Sequence, residues 1–296
     1  MPTDREIHPR LLPPEEWYPA SVAGVRARYV TLRGGERVRV LESEPSGGSP
    51  VVLLHGWGGS AYNFRRAFPL LAEAGLTAIA PDLRGHGLSD KPTFLDAYTS
   101  AAMVDHVLAV LDAMGVGNAV FVGQSMAGAI VMDLVRTAPN RVRAAVLLAS
   151  IGFTRIQRVA VARALRSRQW PLEHVPRWAI ELLLRRVYGT RATWEPRDVD
   201  EYWAPTQFAE NLQALLALVD SFDWSPRVQA VTSVPEGTLR ILFGQRDRLI
   251  PAYRAIMAAR QITGARARIV VGAGHLLAEE APDETVREIL EVAGTR

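Results

Sequence analysis

Six mainly apolar runs of strand length constrain this chain most: Val51 to His55, Thr77 to Ala80, Ala119 to Val122, Ala144 to Leu148, Leu239 to Phe243 with Arg240 within it, and Ala267 to Val271 with Arg268 within it. A strand with one face in water alternates apolar and polar residues, whereas a continuous apolar run needs cover on both faces. Helical patterns at Tyr62 to Ala74, Ala101 to Met114 and Thr285 to Val292 alternate with the runs and can supply that cover. This alternation predicts an α/β fold, a parallel sheet sandwiched between helices. Val25 to Thr31 and Arg37 to Glu42 flank Gly34-Gly35 and read as a hairpin, which brings the mostly parallel central sheet to about eight strands.

The alternation breaks once. Between Ile151 and about Thr232 the pattern is helical only, with Val159, Val161, Ala162 and Leu165, then Ala179, Leu182 and Leu183, then Leu212, Leu215, Leu216 and Val219. Five of the seven tryptophans fall here, at Trp170, Trp178, Trp194, Trp203 and Trp224, which a polar linker would not carry. The region predicts a helical cap over 152–232, inserted between the sixth and seventh strands. Residues 1–151 and 233–296 then form the core, with 1–24 as an irregular, proline-rich start.

Composition excludes several function classes. With 48% hydrophobic and 22% charged residues, the chain of 296 residues can bury a sizeable core. Its net charge is only +3, and Lys91 is the single lysine, so arginine drives the sequence pI of about 9.5. No block of like charge and no nucleic-acid motif occurs, which argues against a nucleic-acid partner. The absence of cysteine excludes disulfides, thiolate metal sites and cysteine nucleophiles. No paired histidine or carboxylate spacing of metal type is present, and no cofactor is implied. Charged residues at Asp4, Arg5, Glu6, Glu15 and Glu16 rule out a secretory apolar segment, and no run approaches the length of a membrane span, so a cytoplasmic location is expected.

Three segments carry chemistry. In Gly123-Gln124-Ser125-Met126-Ala127-Gly128 the serine lies between an apolar run and a helical pattern with Ile130, Val131, Leu134 and Val135. A reactive serine needs its hydroxyl thrust out of such a turn, above free helix N–H groups. Small residues at Gly123 and Ala127 let the turn close. An unactivated serine is a poor nucleophile and requires a base, which in turn requires an orienting group. Asp247 follows the run ending at Phe243, and His275 stands between Gly274 and Leu276 after the last run. Ser125, Asp247 and His275 thus each follow a buried strand at the same sheet edge, where parallel sheets place their ligands.

Together with His55-Gly56-Trp57-Gly58-Gly59-Ser60 and Pro81-Asp82-Leu83-Arg84-Gly85-His86-Gly87-Leu88-Ser89, these segments resemble those of the α/β-hydrolase superfamily, over about Val25 to Ala293. The resemblance implies a catalytic set in which His275 deprotonates Ser125 and Asp247 fixes the imidazole. It also implies an oxyanion hole formed by the backbone N–H groups of Trp57 and Met126. His55 and His86 are expected to hold loop geometry, and His8, His106 and His174 have no catalytic context.

Relatives that open epoxides or remove halide use aspartate at the nucleophile position, so Ser125 points to acyl chemistry. The implied function is hydrolysis of small to medium lipophilic carboxylic esters, with a small-molecule ester as partner. A carbon–carbon bond hydrolase of vinylogous diketone acids is the alternative, but Gln124 and Leu276 stand where such relatives typically carry asparagine and an aromatic. A cofactor-free perhydrolase of haloperoxidase type, and a ligand receptor on a hydrolase scaffold, complete the set. The stretch from Phe153 to Arg191 carries nine arginines against Glu173 and Glu181, read as a solvated helix face rather than a lipid-binding lid.

Overall fold

Alternate residues of the apolar runs face opposite layers, and that sorting builds the core. In the computed structural model, which describes residues 17–19, 22–44, 47–155, 175–232 and 234–294, the strands are β1 (Val25–Thr31), β2 (Arg37–Ser43), β3 (Ser49–Leu54), β4 (Leu76–Pro81), β5 (Ala119–Gln124), β6 (Val142–Leu148), β7 (Leu239–Gly244) and β8 (Ala265–Val270). They form one eight-stranded sheet in the order β1-β2-β4-β3-β5-β6-β7-β8. Pairing is antiparallel at β1–β2 and β2–β4 and parallel elsewhere. This is the α/β architecture that the sequence predicts.

The helices are α1 (Ala67–Glu73), α2 (Ser100–Ala113), α3 (Met126–Thr137), α4 (Arg177–Val187), α5 (Pro196–Trp203), α6 (Ala209–Ser221), α7 (Ala252–Ala259), α8 (Leu277–Glu280) and α9 (Pro282–Ala293). On one face Val52, Leu54 and Phe121 pack with α2, α3 and α7 through Leu111, Ile130 and Ile256. On the other, Val51, Leu53 and Val122 meet α1 and α9 through Phe68, Leu71 and Ile289. The period of two along each strand therefore serves two cores at once.

Two expectations shift on inspection. The last strand starts and ends earlier than its apolar run, at Ala265–Val270, and leaves Val271 68% exposed. As an edge strand it is less covered, so Arg266 and Arg268 alternate with apolar residues, and Arg268 pairs with Glu284 and Glu288 of α9. Between β6 and β7, α4 buries Ile180, Leu184 and Val187, while Leu182 and Leu183 are exposed. Those buried residues join Tyr188 and Val199 in a small cluster of their own. In α6 the expected Leu212, Leu215 and Val219 are buried. Val159, Val161, Ala162, Leu165, Trp170, His8 and His174 lie outside the described residues.

Candidate active site

One residue separates β5 from α3, and it is Ser125. A turn this tight forces φ 54° and ψ −114° on a non-glycine residue, a conformation that costs about 1–3 kcal/mol and persists only when its surroundings fix it. They do: the Ser125 N–H donates to the Leu148 carbonyl at 2.9 Å, and its carbonyl accepts from the Ile151 N–H at 3.1 Å. Two close approaches require glycine. A Cβ at Gly128 would stand 1.9 Å from the Ser150 hydroxyl, and a Cβ at Gly56 would stand 2.9 Å from Ser125 Cβ. The sequence pattern marks Ala127 as the small residue after the serine, yet Gly128 is where packing demands one.

His275 arrives from the other direction. Its backbone N–H donates to the Val187 carbonyl at the end of α4 at 2.7 Å, and the Gln124 side-chain amide donates to its carbonyl. Its ring then spans the gap, with Nε2 2.9 Å from Ser125 Oγ and Nδ1 2.8 Å from Asp247 Oδ2. A carboxylate only accepts, so the proton sits on Nδ1 and Nε2 is left to accept from the serine hydroxyl. The other Asp247 oxygen accepts the Leu249 and Ile250 N–H groups at 2.8 and 2.9 Å. Asp247 thus caps the loop before α7 with one oxygen and faces the imidazole with the other, its side chain fully buried.

The two proposed oxyanion donors follow Ser125 and Gly56 in the chain. Met126 is the first residue of α3, where an N–H has no intrahelical acceptor. Gly56, the residue before Trp57, runs close beside the serine, since a Cβ there would also stand 3.5 Å from Ser125 Oγ. The Trp57 indole N–H is anchored by the Leu215 carbonyl of α6 at 3.0 Å.

Sequence reasoning missed the supports behind these groups. Glu280 accepts N–H groups from Gly189 and Gly274 and so ties the segment after α4 to the His275 loop. Burial pushes its carboxyl above the ordinary range, against those N–H bonds. Gln124, weighed only as a specificity marker, is a backbone brace. His55 and His86 hold loops as expected: His55 Nε2 accepts from the Leu83 N–H at 2.9 Å, and His86 Nδ1 lies 3.1 Å from the Arg84 carbonyl. Among the described residues no cluster of three histidines or carboxylates could hold a metal, and no helix is long and apolar enough to cross a membrane.

Comparison with known proteins agrees with this architecture. Residues 49–282 match the model of the alpha/beta hydrolase fold family. Epoxide hydrolase A of Mycobacterium tuberculosis is 35% identical over 134 residues, covering 45% of this chain and 41% of that protein. The chain spans between 22% and 41% of the length of the first curated relatives it matches. Among solved structures, a meta-cleavage product hydrolase from Pseudomonas fluorescens IP01 superposes with a TM-score of 0.74 at 23% identity, covering 90% of this chain and 97% of that one. A thermophilic esterase from Thermogutta terrifontis does so with 0.71 at 22% identity, covering 91% and 98%. At these identities the structures share the fold.

Proposed function

We propose that this chain, which belongs to the α/β-hydrolase family, is a serine hydrolase that cleaves carboxylic esters of small to medium lipophilic substrates through an acyl-enzyme. The observation that carries the reading is the unbroken line Ser125 Oγ, His275, Asp247, with contacts of 2.9 and 2.8 Å. His275 Nε2 takes the hydroxyl proton as Ser125 Oγ attacks the ester carbonyl carbon. Negative charge grows on the carbonyl oxygen and meets the N–H groups of Trp57 and Met126. Collapse expels the alcohol, which receives the proton from His275. Water, deprotonated by the same imidazole, then releases the acid.

The serine also bears on the epoxide hydrolases and the haloalkane dehalogenase among the relatives. Displacement at an sp³ carbon by Ser125 would leave an alkyl ether, which has no carbonyl for water to attack. A carboxylate nucleophile avoids that dead end, and this turn has none. The helices α4 to α6 are read as a cap, and the bond from the Trp57 indole to the Leu215 carbonyl, which ties α6 to the loop of one proposed oxyanion donor, supports that reading. The tryptophans and leucines of this region suit a lipophilic acyl or alkyl group.

The test is an acyl-chain series of nitrophenyl esters beside one vinylogous diketone acid, with Ser125→Ala as control. Multiple turnovers on short or medium esters, lost in Ser125→Ala by about 10³-fold or more, are expected. Preferred turnover of the diketone acid would move the assignment to carbon–carbon cleavage. A single stoichiometric event with no turnover would indicate a receptor.

A further inference from the structure

Glu279 lies four residues after His275, and its side chain is fully buried. Burying a carboxylate is costly unless it is paired and every oxygen is bonded, and replacing such a pair by apolar residues is often neutral or stabilising. The bonds that this carboxylate makes are therefore informative. Arg65 Nη1 stands 2.7 Å from Oε2, and Asn63 Nδ2 donates to Oε1 at 2.9 Å. The hydroxyls of Tyr188 and Tyr202 donate to the two oxygens.

These partners come from separate parts of the chain. Asn63 and Arg65 belong to the turn that continues the Trp57 loop, and Asn63 Oδ1 accepts the Ser60 N–H at 3.2 Å. Tyr188 and Tyr202 belong to the end of α4 and to α5, between β6 and β7. Arg65 also reaches Asp198 of α5 at 2.8 Å, and Asp198 accepts the Tyr62 hydroxyl at 2.6 Å. Burial alone would lower the Arg65 guanidinium, but Glu279, Tyr62 and Asp198 hold it protonated. One carboxylate thus joins the backbone that carries an oxyanion donor to the backbone that carries the base, with the inserted helices bonded to both.

We propose that Glu279 is a positioning residue: a buried strut that, through Asn63 and Arg65, sets the distance between the Trp57 N–H and the His275 imidazole. It touches neither substrate nor reacting atoms. This rests on the reading of Ser125 and His275 as nucleophile and base, and it adds a part that acts on both through the backbone. A strut differs from a generic packing residue in what its loss changes. Misplacing the oxyanion donor relative to the base by a fraction of an ångström weakens transition-state contacts and leaves ground-state binding in place.

Glu279→Gln keeps the shape and removes the charge. Expected is a fall in kcat of about tenfold to a hundredfold on a nitrophenyl ester with KM within about twofold, and an equal slowing of Ser125 labelling by a fluorophosphonate. The double variant Glu279→Gln/Asn63→Ala should lose no more than the worse of its two singles, because both cut the same link. Tyr188→Phe and Tyr202→Phe keep the fold and remove one bond each, so they decide the matter if Glu279→Gln does not fold; each should lower kcat alone. Unchanged kcat in Glu279→Gln, a rise in KM alone, additive losses in the double variant, or parent kcat in both Phe variants would overturn the strut. Failure of the parent protein to label at Ser125 would instead overturn the hydrolase reading.

Discussion

Two places on the same sheet edge hold a buried aspartate and a buried histidine, and the proposed function gives them opposite roles. After β7 and β8, Asp247 and His275 meet side chain to side chain, and the ring's second nitrogen looks out at Ser125. After β3 and β4, Asp82 and His55 are equally buried but spend their bonding capacity on backbone and, for Asp82, on an arginine. Asp82 accepts the Ala61 and Leu88 N–H groups and pairs with Arg39 at 3.2 Å. His55 lies between the Gly56 carbonyl and the Leu83 N–H, edge-on to His86 at 4.9 Å between ring centres. Residue type and sheet position are shared. Under the proposed function, what separates chemistry from scaffolding is whether a ring nitrogen is left facing a group that can react.

The sharpest way to break this contrast is to remove one carboxylate at each place. Asp247→Asn should cut kcat by about 10⁴-fold, by favouring the wrong imidazole tautomer and withdrawing support from the imidazolium. Its effect on stability should be small, since the Asn carbonyl can still accept the Leu249 and Ile250 N–H groups. Asp82→Asn should do the reverse. It leaves Arg39, 6% exposed at its side chain, as a buried charge without its partner, a change that costs about 3–5 kcal/mol. Turnover per folded site should hold. Urea unfolding of both variants beside their esterase rates checks the pair of outcomes, and a loss of turnover in Asp82→Asn without a loss of stability would erase the distinction.

The two places also differ in how far they were legible. Asp247 and His275 could be read because each directly follows an apolar run, so sheet topology alone brings them to Ser125. The strands themselves could be read wherever both faces are covered, and the reading slipped at β8, where an edge position restores alternation. Glu279, Arg65 and Asp198 carry no such mark. Their partners lie as far as 216 residues apart, and a buried ion pair has no periodicity, so the chain shows only ordinary charged residues in helical stretches. Gly128 was hidden for a related reason. Its need comes from Ser150 on the neighbouring segment, not from the turn that contains it.

The smallest expected effect concerns pH, and it tests the scaffold half of the comparison. Burial lowers the imidazole pKa of His55, His86 and His106 below the ordinary 6.5, most of all for His86. For a base held neutral in the fold, the unfolded chain binds more protons as pH drops below 6.5, so stability is full above that value and is lost as pH falls. Each such histidine can contribute a slope of up to about 1.4 kcal/mol per pH unit. Glu36 acts in a lower window: burial pushes its carboxyl up, but bonds from His106 and Arg84 prevail and bring it to about 2. Its stabilisation is present above 4.5 and is lost as pH falls through about 2. The urea midpoint, followed by circular dichroism, should therefore decline from pH 6.5 downward while the Glu36 pairing still holds. His86→Gln should flatten that decline, because it removes the histidine whose neutral form the fold most strongly requires. A midpoint that is level from pH 7 to pH 5 would mean that these rings are not held neutral, and that the loops after β3 and β4 are not the fixed frame against which Ser125 and His275 are set.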